Sequence, residues 1–299
     1  MIHLKDLGTF EFVPDLVTAI INGNITALES ALQGGWDIDE PIQIGKYSEY
    51  APLQLALVMN CLPSVQWLVE HGADLNDKEN PSFLLAVRYG NQEIIDYVVA
   101  QGANINALNS VDVDAFQAAL YGKKYENLQL IHDLGHTVQK YGGKAFRNAI
   151  TDENYEVLDF FINNGVDINY NKPDSVYPFN PTPLCVAARY VDLQMCKYLV
   201  EHGADINYCI SGASIIGSQA SIYNWDMVLF LLNLGANPMS DIDPDFNVAS
   251  AVQDYYDEGF DLDSENGKMA QEVKRKLEQR GIKFPYHPTS QATSPESRK

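Results

Sequence analysis

A short glycine phrase returns along this chain at near-regular intervals. It reads Gly72-Ala73-Asp74-Leu75-Asn76, Gly102-Ala103-Asn104-Ile105-Asn106, Gly165-Val166-Asp167-Ile168-Asn169, Gly203-Ala204-Asp205-Ile206-Asn207 and Gly235-Ala236-Asn237-Pro238, with degenerate copies from Gly35 and Gly135. Successive glycines lie 37, 30, 33, 30, 38 and 32 residues apart. An alanine stands sixteen residues before six of them, at Ala19, Ala56, Ala86, Ala119, Ala149 and Ala187. Two motifs recurring in register at that period mark a repeat array, in which one small unit is copied and stacked. The 299 residues would then form one elongated domain rather than two ordinary globular ones.

Residues 182–207 show the unit most plainly. Thr182 can cap a helix N-terminus and Pro183 suits the first helical position, where a missing N–H is not needed. Ala187 and Ala188 are small enough for close helix–helix approach, and Met195, Leu199 and Val200 follow at the spacing of a second helix. Gly203 ends that helix by supplying a left-handed conformation. Ala204-Asp205-Ile206-Asn207 then turns the chain into the next unit.

This pattern resembles the ankyrin repeat, whose consensus runs Thr-Pro-Leu-His-x-Ala-Ala, then Val-x-x-Leu-Leu and Gly-Ala-Asp-x-Asn; the resemblance covers roughly residues 12–284. It implies an all-α ankyrin-repeat solenoid of seven to eight stacked helix pairs joined by β-turn or hairpin loops. The array is expected over 1–284, with repeat-ending glycines Gly35, Gly72, Gly102, Gly135, Gly165, Gly203, Gly235 and Gly281, and 285–299 is expected as a disordered tail. The family's histidine is missing throughout: Val17, Gln54, Leu84, Gln117, Arg147, Cys185 and Gly217 stand in its place. Since that histidine and the threonine tie neighbouring turns in the family, this array is expected to be less rigid than a consensus one. In the unit ending at Gly235 the alanine position falls on Gln219, beside Ala220. Either the helix slips by one residue there or the core is locally polar, which makes this unit the expected weak point. Terminal units are expected to be atypical because one side faces water.

A formal charge of -20 disfavours nucleic acid and anionic membrane and favours basic protein partners or plain solubility. No apolar run approaches the ~20 residues that span a bilayer, and the first residues lack the pattern of a signal peptide, so the expectation is a cytoplasmic protein. Cys61, Cys185, Cys196 and Cys209 show no metal-type spacing and are expected as free, buried thiols. His71 and His202 each precede a helix-ending glycine, where a cation suits the helix C-terminus. His132 and His136 have no ligand-spaced Cys or carboxylate. No phosphate-cradling glycine loop, nucleophile elbow or zinc-binding helix motif occurs, so neither catalysis nor a cofactor is expected.

Three features suit recognition instead. Long loops at 40–50 and 171–181 carry Tyr47, Tyr50, Tyr177 and Phe179, aromatics that offer large contact area, or that fold back onto their own repeat. Past each alanine motif lie Arg88-Tyr89, Tyr121, Thr151-Asp152, Arg189-Tyr190 and, allowing the one-residue slip, Tyr223; the resemblance places these along a concave binding side. The acidic segment 254–267, with Tyr255, Tyr256, Asp257 and Glu258, could dock a basic surface or simply be solvated. Asp261, Asp263, Glu265 and Glu272 also match four positions of a calcium loop, but Asn266 replaces its glycine. The expected function is a non-enzymatic module, monomeric when free, that binds and inhibits or neutralises a basic protein, an immunity-type inhibitor being the concrete version. The alternatives are a small-molecule or calcium-responsive protein on the same scaffold and a self-associating array.

Overall fold

A computed structural model describes residues 2–4, 8–10, 14–44, 48–172, 181–210, 213–240 and 247–287, with 2–4, 8–10, 48, 209 and 210 as backbone alone. These fall into two compact units. One comprises the described residues of Met1–Ala145 with Asn163–Val166, and the other those of Phe146–Ile162 with Asp167–Lys299.

The first unit opens with an antiparallel hairpin, β1 (Ile2–Leu4) on β2 (Gly8–Phe10), which periodicity did not foretell. Helix pairs follow: α1 (Asp15–Ile21) with α2 (Ile25–Gln33), α3 (Pro52–Val58) with α4 (Leu62–Glu70), α5 (Ser82–Tyr89) with α6 (Gln92–Ala100), and α7 (Ala115–Tyr121) with α8 (Asn127–Asp133). The loop at 40–50 is a second hairpin, β3 (Ile42–Ile44) on β4 (Ser48–Tyr50), and Ile44 is fully buried. First helices stack on first helices, α1 on α3, α3 on α5 and α5 on α7, as do α2 on α4 and α4 on α6.

Helix α9 (Val138–Ala149) carries the unit boundary within it and runs into a 3-10 turn (Ile150–Asp152), with α10 (Tyr155–Asn163) completing the fifth pair. The second unit continues with α11 (Pro183–Tyr190) and α12 (Leu193–Glu201), then a short hairpin of β5 (Cys209–Ile210) and β6 (Ala213–Ser214). Then come α13 (Ile215–Ala220) with α14 (Trp225–Asn233), and α15 (Val248–Asp257) with α16 (Glu265–Gln279). That makes eight helix pairs among the described residues. Helices α11, α13 and α15 stack in turn, and α14 packs on α16.

The sequence motifs translate directly into this core. All six register alanines are buried, and all eight repeat-ending glycines have positive φ, between 78° and 106°. At Gly203, with φ of 99°, any other residue would be strained. Thr182 caps α11 by accepting from the Cys185 N–H at 3.3 Å, with Pro183 at the first helical position. Asn24, Asn91, Asp192 and Asn224 cap α2, α6, α12 and α14 in the same way. His71 and His202 place Nδ1 at 2.8 and 2.7 Å from the carbonyl one turn earlier, closing their helix ends.

Two expectations about the unit ending at Gly235 resolve here. Helix α13 does not slip. Gln219 is buried at the alanine position and accepts from Asn224 Nδ2 at 2.9 Å, so the core is locally polar. Tyr223, with φ of 57°, holds the left-handed turn twelve residues before the glycine, as Gly23, Asn60, Lys123 and Glu153 do in other repeats.

Neighbouring repeats are tied at their tips by side-chain-to-backbone bonds. In the first unit Asp39 Oδ1 accepts from the Asp74 N–H at 3.1 Å, and Asn76 Oδ1 from the Asn104 N–H at 2.9 Å. Asn106 Oδ1 instead meets the ring of His136, 3.1 Å from Nδ1. In the second unit Asn169 Oδ1 accepts from Asp205 and Asn207 Oδ1 from Asn237, both at 2.8 Å. These bonds come from the last residue of the glycine phrase, Asp39 in the first copy and asparagine in the others, not from the family's histidine. Arg147, at one of the histidine positions, is fully buried and donates to the carbonyls of Lys172 at 2.8 Å and Pro181 at 3.2 Å. It thereby pins both ends of the 171–181 loop.

Of the thiols, Cys196 is buried, and burial pushes its pKa up to about 12; Cys61 and Cys185 are only half-buried, and none of these three is in a disulfide. At the C-terminus, the Tyr286 N–H donates to Gln253 Oε1 at 2.9 Å and its hydroxyl accepts from Asn247 Nδ2 at 3.0 Å. The anchored chain therefore extends past 284, while 288–299 of the expected tail lie outside the described residues.

Candidate interaction surfaces

Each first helix ends beside the turn that starts the second, so its last residues project from the edge of the repeat. In the first unit this position carries Arg88, Tyr89 and Tyr121. The Arg88 guanidinium lies over both rings, 5.0 Å from the centroid of Tyr89 and 6.0 Å from that of Tyr121. Tyr121 is 48% exposed and Tyr89 half-buried. The repeats approach closely here. A Cβ on Gly122 would sit 2.0 Å from the Arg88 carbonyl oxygen, so glycine is needed for contact between α5 and α7 whatever its φ. Tyr50 ends β4 opposite Ile42 and is half-buried. Tyr47 lies outside the described residues, as do Tyr177 and Phe179.

In the second unit Asp152 is exposed at the end of the 3-10 turn, and Arg189 lies over the ring of Tyr190 at 5.4 Å. Tyr190 is 60% exposed. Tyr223 does not continue this row. Because α13 stays in register, the residue thirteen before the glycine is Ile222, which is 66% exposed. Tyr223 instead packs with its ring centroid 5.7 Å from Trp225, 5.2 Å from Tyr255 and 5.3 Å from Phe260. Burial, then Glu258, raises its phenol pKa.

Half of the acidic segment is helix, at its two ends. Asp254 to Asp257 form the last turn of α15 and Glu258 caps it. Tyr255, expected at a partner surface, is 3% exposed and belongs to the core, because Val248, Val252 and Tyr255 fall on one helix face and all three are buried. Tyr256 is half-buried under Lys274, whose Nζ stands 4.5 Å from the ring centroid. Asp257 and Glu258 are exposed, and Asp257 accepts from Gln253 at 2.9 Å. Asp254 titrates above the usual carboxylate range, raised first by its partial burial and then by Glu258 and Asp257. The calcium alternative loses its geometry, since Glu265 to Glu272 lie inside α16 and cannot wrap an ion. Among the described residues no three His, Cys, Asp or Glu side chains converge as a metal site, and no helix is long and apolar enough to cross a membrane.

Family models supply the comparison that decides the class. The model for ankyrin repeats (three copies) matches residues 146–242, and that for a single ankyrin repeat matches 83–110. The chain is an ankyrin-repeat protein. Its relatives include the Caenorhabditis elegans ankyrin repeat and KH domain-containing protein mask-1, 26% identical over 191 residues, which are 62% of this chain and 7% of that protein. The mouse RelA-associated inhibitor is 37% identical over 109 residues, 36% of this chain and 12% of the relative. The rat ankyrin repeat and SAM domain-containing protein 6 is 41% identical over 58 residues, 18% of this chain and 7% of the relative. This ankyrin-repeat chain thus spans about a tenth of the length of the curated relatives it matches. The crystal structure of the human ASB11 ankyrin repeat domain aligns over 87% of this chain and 98% of the other, at 16% identity and a TM-score of 0.37.

Ankyrin repeats are protein–protein interaction modules, and the coarse function follows from the family. Sequence reasoning located the Arg and Tyr pairs at the ends of α5 and α11, half-buried on the first and exposed on the second. It missed Ile222, which correct counting from Gly235 would have found, and the buried role of Arg147, which carries no local signal.

Proposed function

We propose that this ankyrin array acts without catalysis, as a cytoplasmic protein, monomeric when free, that grips and masks a basic protein partner. The observation that carries this reading is the row at the ends of first helices: half-buried Arg88 and Tyr89 beside exposed Tyr121 in the first unit, and exposed Asp152, Arg189, Tyr190 and Ile222 in the second. Arginine and tyrosine are enriched where alanine substitution costs most binding energy. The charge of -20 favours a partner of opposite sign and would steer its approach. Asp257 and Glu258 add carboxylates at the end of α15, and Tyr50 with the two long loops extends the contact. An immunity-type inhibitor is the concrete version. The mouse relative is by name an inhibitor, which supports masking as the mode of action. The array is assigned to 1–284.

The test is capture of partners from the native host's lysate at low and moderate salt, with the parent chain and with Tyr89→Ala/Tyr190→Ala. A basic protein retained at low salt, partly released by added salt and lost from the variant, is the expected result. Equal capture by a variant of unchanged melting temperature would remove the row from the binding surface.

A further inference from the structure

Five arginines lie among the described residues, and three of them are taken up by the fold. Arg147 and Arg280 each donate to two main-chain carbonyls, and Arg275 grips Glu272. Arg88 and Arg189 differ, since neither makes a hydrogen bond or an ion pair with the described protein. Carboxylates are not in short supply, with forty Asp and Glu in the chain against twenty Lys and Arg. Both arginines stand fourteen residues before a repeat-ending glycine, Gly102 and Gly203, and a tyrosine follows each. The same exception recurs at the same repeat position in each unit, which sets it apart from a stray surface side chain.

Arg88 is the more complete of the two sites. Its stem is fixed by the neighbouring repeat, since a Cβ on Gly122 would sit 3.0 Å from Arg88 Cγ. Two rings cover its guanidinium, that of Tyr89 at 5.0 Å and that of Tyr121 at 6.0 Å. Nε is shut off from solvent and has no acceptor; the two terminal nitrogens are not shut off and have none either. Stacking uses the flat face of a guanidinium and leaves the N–H fork at its edge to bond in plane. The phenols of Tyr89 and Tyr121 make no hydrogen bond with the described protein. A guanidinium edge and two phenols therefore stand together with no anion to receive their protons. Arginine cannot shed its charge, and holding it partly out of water without a partner costs free energy that an arriving anion would recover.

The fork suits an oxyanion that accepts two parallel N–H bonds, which a carboxylate and a phosphate monoester both do. The charge of the chain decides between them. A field of -20 opposes every anion, and it opposes a phosphate carrying nearly two charges more than a carboxylate carrying one. A basic partner is drawn to the acidic body as a whole and repelled only where an unpaired arginine stands. Attraction of that kind brings two surfaces together without fixing their register. A reversed pair at one point fixes it, because any other register sets a cation of the partner against Arg88.

We propose that Arg88, between Tyr89 and Tyr121, is the receptor for a carboxylate side chain of the protein partner, with Arg189 and Tyr190 a simpler second copy. This rests on the reading of the row as a partner surface and names the group it takes. The probe is acetyl-Gly-Glu-Gly-amide, titrated at constant ionic strength into protein labelled with nitrogen-15 arginine. Acetyl-Gly-Gln-Gly-amide and inorganic phosphate are the comparisons. The arginine Nε–H signals are followed by NMR, and Arg88→Lys and Arg189→Lys assign two of them by the signal each removes. The Arg88 signal should shift saturably, with half-saturation at roughly 1–10 mM. Arg189, covered by one ring, should respond more weakly, and Arg147, Arg275 and Arg280 should not move. Tyr89→Phe/Tyr121→Phe keeps both rings and should weaken binding roughly threefold or more through the lost phenols. Equal shifts from the glutamine peptide, or a common drift of all the signals, would overturn the assignment. Tighter binding of phosphate would overturn the carboxylate in favour of a phosphorylated side chain, and unchanged affinity in the phenylalanine variant would overturn the site as built. The peptide needs no natural partner, so the two readings fail separately. Loss of the shift leaves the row as a contact surface, and loss of lysate dependence on Tyr89 and Tyr190 leaves the anion site.

Discussion

Asp114 offers a test of how burial and capping compete in one side chain. It caps α7 by accepting from the Gln117 N–H at 2.9 Å, while its own N–H meets Gln117 Oε1 at 3.4 Å. It is also buried, and desolvation raises its pKa from 3.8 to about 6, against the opposing pull of the Gln117 N–H, Lys144 and the Phe116 N–H. A carboxyl with a raised folded-state pKa contributes stability that is complete below its unfolded value and is lost as pH rises through the folded one. Between those limits the folded state retains a proton that the unfolded chain has released. At 1.36 kcal/mol per unit, the ionised cap costs the first unit about 3 kcal/mol at pH 7 and, from the same titration curves, roughly half that at pH 5. The amide that Asp114→Asn introduces keeps a capping oxygen and carries no charge.

The variant should therefore be more stable than the parent by about 3 kcal/mol at neutral pH, with a gain roughly halved at pH 5. Urea unfolding of both chains at the two pH values measures this, and the difference cancels other titrations. The largest of those in the first unit is His136, whose buried ring has its pKa lowered to about 4, first by desolvation and then by Lys140, and which destabilises the fold on acidification. A gain that does not change with pH, or a variant less stable than the parent, would refute the reasoning. It would mean that Lys144 and the helix N-terminus outweigh burial.

Two further substitutions probe the packing. Gly122→Ala places a Cβ 2.0 Å from the Arg88 carbonyl oxygen and 2.8 Å from its carbon, backbone atoms that cannot swing away. It should destabilise by about 3 kcal/mol or more, at the top of the usual range for overpacking, and a calorimetric loss below about 1 kcal/mol, the bottom of that range, would contradict the close α5–α7 approach. Arg147→Ala removes two charge-assisted bonds to loop carbonyls and the stack on Tyr170 at 5.0 Å, an expected loss of about 3 kcal/mol in urea unfolding. Faster proteolysis between 172 and 181 should accompany it, and an unchanged midpoint would show that the loop is held by other contacts.

What the sequence makes legible follows from the range of each interaction. The alanine stripe and the glycine turns are local, so their spacing alone sets six units in register and implies an array of seven to eight helix pairs. The caps at Thr182 and Asn24 are local too. Tyr255 was misassigned because its acidic neighbours outweighed the spacing of Val248, Val252 and Tyr255, which points inward. Tyr223 was misassigned by allowing a slip that the turn at φ of 57° excludes. Arg147 is a different kind of miss. Arginine is rarely buried, and the carbonyls that receive it lie 25 and 34 residues away, so nothing near it in sequence announces its place. The tip bonds are intermediate: the asparagines are conspicuous, but their acceptor role appears only once the next repeat is stacked.

Those tip bonds bear on how such a chain can change its length. Asn76 and Asn207 each grip an N–H, a group that every non-proline residue carries, so the joint does not read the identity of its neighbour. Any repeat that begins Gly-Ala-Asp or Gly-Ala-Asn and ends in Asn brings a matching plug and socket. Whole repeats can then be duplicated, deleted or exchanged at such joints without redesigning either side. Asn106 departs from this, since it meets an imidazole rather than a main-chain amide. A graft made there would have to carry His136 with it, which makes that joint a fixed seam in an otherwise modular chain.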